Sequence, residues 1–196
     1  MLQLNNKPKN RYFIRIPKEV TVIYCNKKNI LYILGPKGSK SLRVNLHLTI
    51  FSNANIIFVS GSLCDVRSLN LTKKKVRMIR GLIVAKIKQL IVEVTGTLYK
   101  KLKLLGVGYR AFPHDQLSNQ IYFKLGFSHL IYYNIPSSFS VKINKFTDLY
   151  IYGGNSIDLL SSTVSKIRNL KAPEPYKGKG ILYDQEKIVL KKGKKI

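Results

Sequence analysis

Acidic residues are scarce in this chain of 196 residues: nine Asp and Glu stand against 35 Lys and Arg, for a net charge of +26. A compact body with that imbalance repels itself at low salt and calls for a polyanionic partner. So few carboxylates also leave little from which to build a metal-dependent nuclease or a carboxylate acid–base pair, which weighs against an enzyme acting on nucleic acid. Tryptophan is missing, and there are only three histidines and two cysteines. His47, His114 and His129 lack the spacing of a metal-ligand set. Cys25 and Cys64 lie far apart without a Cys-x-x-Cys pair, so neither a zinc site nor a disulfide framework is indicated; a reducing compartment and two small buried hydrophobes fit better. No apolar run reaches the roughly 18 to 20 residues of a membrane span, and the N-terminus lacks the apolar core of a secretory signal. Residues 1–15 are basic and free of acids, as in an organelle transit peptide, but the stretch is short and poor in Ser and Arg.

What is present supports a folded body. Apolar residues make up 45% of the chain, enough to bury a core. The candidate polyanions are RNA, DNA and an anionic membrane surface; charge spread along the whole chain, not gathered on one amphipathic helix, puts nucleic acid first. Two stretches repeat a pattern of proline, alternating strand, turn, strand and glycine. One runs from Pro17 through Val20 and Val22 to Leu34 and Gly35, the other from Pro136 through Phe139 and Val141 to Tyr152 and Gly153. Each half also carries an amphipathic helix. Val76, Ile79, Ile83, Ile87, Leu90, Ile91 and Val94 recur at three- and four-residue spacing among Lys73, Lys74, Lys75, Arg77, Arg80, Lys86 and Lys88. Ile157, Leu160, Val164 and Ile167 repeat this, with Asn155 or Ser156 as N-cap and Pro173 as stop. Segments 44–50, 102–111 and 121–125 alternate as half-buried strands. The expectation is an α+β chain of two similar units from an internal duplication, residues 1–98 and 99–196, each an antiparallel sheet packed by one helix, with a basic C-terminal tail.

Several short motifs yield to plain readings. Gly106-Val107-Gly108-Tyr109-Arg110-Ala111 has the G-x-G-x-x-A form of a dinucleotide loop, but Phe112-Pro113 breaks the helix such a loop must open, and no acid lies about 20 residues on. The glycines are instead expected to mark a bulge or a close backbone approach within a strand. Gly35-Pro36-Lys37-Gly38-Ser39-Lys40 lacks P-loop spacing and reads as a basic turn. His129 beside Ser128 reads as a structural hydrogen-bonding residue. The sequon Asn70-Leu71-Thr72 carries no meaning without a secretory route.

One segment points to chemistry. Pro173-Glu174-Pro175-Tyr176-Lys177-Gly178-Lys179-Gly180-Ile181 combines two glycines that let a backbone come close to a partner, two lysines for phosphate, and a tyrosine face for a base or ribose. The basic end Lys191-Lys192-Gly193-Lys194-Lys195 follows it. That segment resembles the signature of the bacterial-type large-subunit ribosomal protein six family. Residues 102–111 and Leu125-Gly126-Phe127-Ser128-His129 resemble two further segments of the family, in the same order, so the resemblance covers most of residues 100–196. The first half matches more loosely, through Ile16-Pro17, the strand at Val20 to Val22, and Gly35-Pro36-Lys37-Gly38. Leu182 and Leu130 depart from the family, which often has arginine and proline there.

The resemblance implies two duplicated α+β domains and a structural, non-enzymatic role on the large ribosomal subunit near the stalk base and the factor-binding region. It implies rRNA contacts by Lys171, Pro175, Tyr176, Lys177, Gly178, Lys179 and Gly180, continued by Lys191, Lys192, Lys194 and Lys195. The partners are large-subunit rRNA and neighbouring large-subunit proteins, with translation factors nearby; neither a cofactor, a metal nor a membrane is called for. Heavy use of Lys, Ile, Asn, Tyr and Phe beside a bacterial-type signature suggests a mitochondrial ribosome, with plastid or bacterial cytoplasm as alternatives. A nucleic-acid-acting enzyme and a cationic membrane-surface protein are the rival readings.

Overall fold

The computed structural model describes residues 12–51, 54–63, 73–114 and 119–193. Most of the basic stretch 1–15, Cys64, Asp115, the sequon at 70–72, Lys194 and Lys195 lie outside the described residues. The chain divides into two compact units, Met1–Gly96 and Thr97–Ile196.

The first unit holds two antiparallel sheets where the sequence suggested one. Strands β1 (Phe13–Arg15), β6 (Ile56–Leu63) and β5 (Leu46–Phe51) form one in that order; β2 (Thr21–Cys25), β3 (Ile30–Gly35) and β4 (Gly38–Arg43) form the other as a meander. Helix α1 (Lys73–Thr95) packs on both, extending the predicted helix by three residues at its start and one at its end. Its stripe of Ile83, Val84, Ile87, Leu90, Ile91 and Val94 meets Leu31, Ile33, Leu46, Ile57 and Val59 in one core. Burial of each such side chain stabilises by about 1.5–3 kcal/mol relative to leaving it in water. Among the helix cations, Arg80 turns to the unit's own strands. Its guanidinium lies 3.5 Å from the Tyr12 ring centroid and its Nε donates to the Val59 carbonyl at 2.7 Å, so it pins α1 to β6.

The second unit is built alike. Strands β10 (Ile131–Asn134), β9 (Gln120–Lys124) and β8 (Arg110–Pro113) make a three-stranded sheet, and β11 (Phe139–Asn144), β12 (Asp148–Gly153), β7 (Tyr99–Leu105) and β13 (Gly180–Tyr183) a four-stranded one. Helix α2 (Ile157–Asn169), with Ser156 as N-cap, packs Leu160, Thr163, Val164 and Ile167 against it. The expected strand over 102–111 is in fact two. Gly106 and Gly108 have φ of 152° and 76°, and the Tyr109 amide donates to the Gly106 carbonyl at 3.2 Å, so the glycines form a turn between β7 and β8.

The repeated hairpins occupy matching places. The Val20 amide donates to the Pro17 carbonyl at 3.1 Å, and the Phe139 amide to the Pro136 carbonyl at 3.0 Å, each closing a turn into the next strand. Leu31-Tyr32-Ile33-Leu34-Gly35 of β3 corresponds to Leu149-Tyr150-Ile151-Tyr152-Gly153 of β12, with Leu31, Ile33, Leu149 and Ile151 fully buried. The connectivity around them differs. The far neighbour of β3 is β4, the next strand in the chain, whereas that of β12 is β7, which comes much earlier.

Candidate nucleic-acid interface

Residues 170–179 link α2 to β13 and carry most of the signature segment. The Gly178 amide donates to the Glu174 carbonyl at 2.9 Å, and the Glu174 amide to the Lys179 carbonyl at 2.8 Å, closing residues 174–179 into a small loop. Gly178 sits at φ 69°, a conformation that costs an L-residue about 1–2 kcal/mol. Pro175, Tyr176 and Lys177 are exposed at the loop tip, Tyr176 at 54%, while Lys171, Gly178 and Lys179 are half-buried.

Gly180 corrects the reading of a backbone bared to a partner. It is buried, and a Cβ there would lie 2.6 Å from Pro173 Cα and 2.8 Å from Pro173 N. Its missing side chain makes room for the chain's own Pro173, so that β13 can begin against β7 and the Ile181 amide can donate to the Lys171 carbonyl at 2.9 Å. Leu182, opposite Lys103 and 5% exposed, is likewise buried and offers no surface where an arginine would stand.

Three segments singled out separately in the sequence converge here. Tyr109 lies over both Gly106 and Gly126: a Cβ on either would fall 2.8 or 3.1 Å from its ring carbons. Gly126 leads to Phe127, whose ring centroid is 4.0 Å from Lys171 Nζ, and the exposed His129 stacks on Phe127 at 5.9 Å. His129 therefore belongs to this surface and not to the core. The contact between Phe127 and Lys171 is invisible in the sequence, because 44 positions separate them.

The tail returns to the same place. Arg168 of α2 grips Glu186 with two bonds, Nε to Oε2 at 3.1 Å and Nη2 to Oε1 at 2.5 Å, and the Tyr183 amide donates to Glu186 Oε2 at 3.1 Å. The Arg168 hydrogen bond holds the Glu186 carboxyl below its ordinary pKa. The chain then runs back until the Lys191 amide donates to the Pro175 carbonyl at 2.9 Å, and a Cβ on Gly178 would touch Leu190 at 3.3 Å. Lys191 and Lys192 are exposed, and this bond sets Lys191 against Pro175, next in sequence to Tyr176. Of the predicted residues, Lys171, Pro175, Tyr176, Lys177, Lys179, Lys191 and Lys192 are thus gathered in one region with Gly178 as hinge and Gly180 beneath. Among the described residues no group of three or more His, Cys, Asp or Glu could hold a metal ion, and no helix is long and apolar enough to cross a membrane.

A basic loop and tail carried on a rigid sheet edge can grip phosphates and stack a base, a binding chemistry without a bond-breaking step. The large ribosomal subunit protein uL6 of Geotalea daltonii is 34% identical over 181 residues, 92% of this chain and 93% of that protein. The uL6 of Geobacter sulfurreducens is 35% identical over the same shares, and that of Mycoplasma genitalium 34% over 91% of this chain and 90% of its own. No family model matches. The class is therefore that of structural ribosomal proteins, not enzymes. Within it, the chain belongs to the family of large ribosomal subunit protein uL6.

Proposed function

We propose that this chain binds large-subunit rRNA through the 173–180 loop and the tail folded back on it, bracing rRNA near the stalk base and factor-binding region. The bond from Lys191 to Pro175 carries the reading, because it makes one cationic surface from two stretches of sequence. Lys177, Lys179, Lys191 and Lys192 neutralise phosphates, Lys194 and Lys195 extend the contact, and Tyr176 offers its ring. Neighbouring large-subunit proteins share the site's surroundings, and translation factors act nearby.

The ribosome in question is organellar on this proposal, most simply mitochondrial. The heavy use of Lys, Ile, Asn, Tyr and Phe supports that; the relatives named above are bacterial, so a bacterial ribosome is the competing assignment. Sedimentation tests both parts. Tagged chain is expected to travel with large subunits of an organelle extract and to leave only at high salt, and Lys177→Ala with Lys179→Ala is expected to reduce the fraction incorporated. Wild-type incorporation of that double variant would refute the site; travel with cytoplasmic bacterial subunits alone would refute the organelle.

A further inference from the structure

A second aromatic and basic surface lies on the outer face of the β11-β12-β7-β13 sheet. The pleat turns Leu149, Ile151, Leu102 and Leu104 inward, which leaves Tyr150, Tyr152, Tyr99 and Lys101 outside. Tyr152 pairs with Tyr99, and Tyr150 with both Lys101 and Lys142. Tyr99, Tyr150 and Tyr152, with Lys142 and Asn144, line a cleft. A second cleft, lined by Tyr99, Lys100, Lys101, Tyr183, Asp184 and Gln185, borders the same Tyr99, so that ring stands between two recesses.

The rings here differ from those on the other sheet of this unit. Phe112, Tyr122 and Tyr132 stand in register across β8, β9 and β10 and spend their faces on one another, with centroids 5.1 and 6.1 Å apart. Among the described residues Tyr99, 66% exposed, and Tyr152, 43% exposed, have no ring partner. Of the three tyrosines of the first cleft, Tyr150 is the one with a cation on its ring, Lys101 at 5.1 Å. The two carboxylates of this face are both neutralised: Asp148 by Lys101 at 2.9 Å, and Asp184 by Lys103 at 2.7 Å and Lys101 at 3.7 Å. The Asp148 hydrogen bond keeps Lys101 protonated well above its ordinary range. Lys142 is left as an exposed cation at the cleft with Tyr152 and the Asn144 amide beside it.

From this we infer that the sheet face seats an unpaired RNA segment, with bases against Tyr99 and Tyr152, a phosphate on Lys142, and a base edge within reach of Asn144. Flat unoccupied rings with only the exposed Lys142 and Lys100 beside them suit nucleobases joined by phosphates; an acidic peptide would need more charge and leave the rings idle. The inference rests on the reading of the chain as RNA-binding and adds a contact separate from the 173–180 loop.

The test uses the full chain, which contains no tryptophan, so Tyr99→Trp introduces a single reporter. Titration with an unstructured oligouridylate is expected to quench its fluorescence, and inorganic polyphosphate or polyglutamate is not. In a Tyr99→Leu, Tyr152→Leu variant, oligouridylate affinity is expected to fall about tenfold or more with duplex RNA affinity unchanged. Both positions are exposed, and an unchanged thermal unfolding curve confirms that the fold is kept. Unaltered oligouridylate affinity, or equal quenching by polyglutamate, overturns the inference. The quench is expected to persist when Lys177→Ala and Lys179→Ala are added; its loss there would show that the face has no binding of its own. Failure of the wild type to bind any RNA would instead strike the reading of the whole chain.

Discussion

Gly35 and Gly153 end matching strands in the two units, yet they are used for different ends. At Gly35 a side chain would run into Val94 of α1, and the Lys37 amide donates to the Val94 carbonyl at 3.0 Å, so this glycine seats the helix. At Gly153, with φ of 97°, a Cβ would meet the Ser138 carbonyl at 3.3 Å, and the chain turns away toward α2. Charge is handled as differently. In the first unit the buried carboxylate of Glu93 meets Lys40 at 3.6 Å. In the second, Asp148, Asp184 and Glu186 fix Lys101, Lys103 and Arg168 around the sheet and the base of the tail. The shared frame of two sheets and a helix is therefore generic. What distinguishes the second unit is the added strand β13, with carboxylates deployed to hold its surroundings in shape while the lysines at the loop tip stay unneutralised.

That contrast can be broken most directly at the glycines. Gly180→Val is expected to destabilise the second unit by about 3 kcal/mol, since the clash is with Pro173 backbone that cannot move without unseating β13. Gly38→Ala, at the exposed turn of the first unit with φ of 135° and open space for a Cβ, is expected to cost only about 1–2 kcal/mol. Chemical denaturation compares the two, and equal losses would remove the claim that β13 is the tighter junction. Next in size, Lys177→Ala with Lys179→Ala is expected to flatten the log–log salt dependence of RNA affinity by about 1.4–1.8, the loss of two phosphate contacts, without a change in stability. The same measurement on Lys27→Ala with Lys28→Ala in the first unit's hairpin loop should show no such change.

Glu186→Gln should cost about 1.5 kcal/mol by removing a carboxylate bonded to Arg168 and to the Tyr183 amide. Because the folded state lowers the Glu186 pKa, its contribution is present above the unfolded value of about 4.3 and is lost as pH falls through the lower folded value. The protection factor of the Tyr183 amide, its exchange rate relative to the free amide at the same pH, is expected to fall over that acid range in the wild type and to be low already at neutral pH in the variant. Smallest of all, Cys25→Ala is expected to change stability by about 1 kcal/mol or less and to leave RNA affinity unchanged, since Cys25 is a half-buried free thiol on β2.

Local signals were legible in the sequence and long-range ones were not. The hairpins after Pro17 and Pro136, the two helices and the turn at Gly35 to Gly38 depend on neighbours a few residues apart, and periodicity and turn chemistry report these directly. The split into two sheets per unit depends on β1 meeting β6, Phe13 opposite Phe58, which no local pattern encodes. The role of Arg80 could not be told from its sequence neighbours because its partners, Tyr12 and Val59, are distant in sequence. For the candidate site, residue types singled out Tyr176, Lys177 and the lysine tail, but gave no sign of the packing that requires Gly180. A buried glycine and one bared to a ligand look alike until Pro173 is seen against it.

The pairing of β13 with β7 also sets an order of events in time. Tyr183 lies opposite Leu102 and Gly180 opposite Leu105, so the strand that anchors the signature loop closes a circuit through nearly the whole second unit. By contrast, β2, β3 and β4 pair with sequential neighbours. Closing the longer circuit costs more chain entropy before any contact rewards it, so the meander of the first unit is expected to form early and β13 late. Pulsed hydrogen exchange during refolding would read this as late protection of Ile181 and Tyr183. A chain that has not finished folding then displays the loop out of the shape proposed for binding, and Lys177 and Lys191 come together only on a completed molecule.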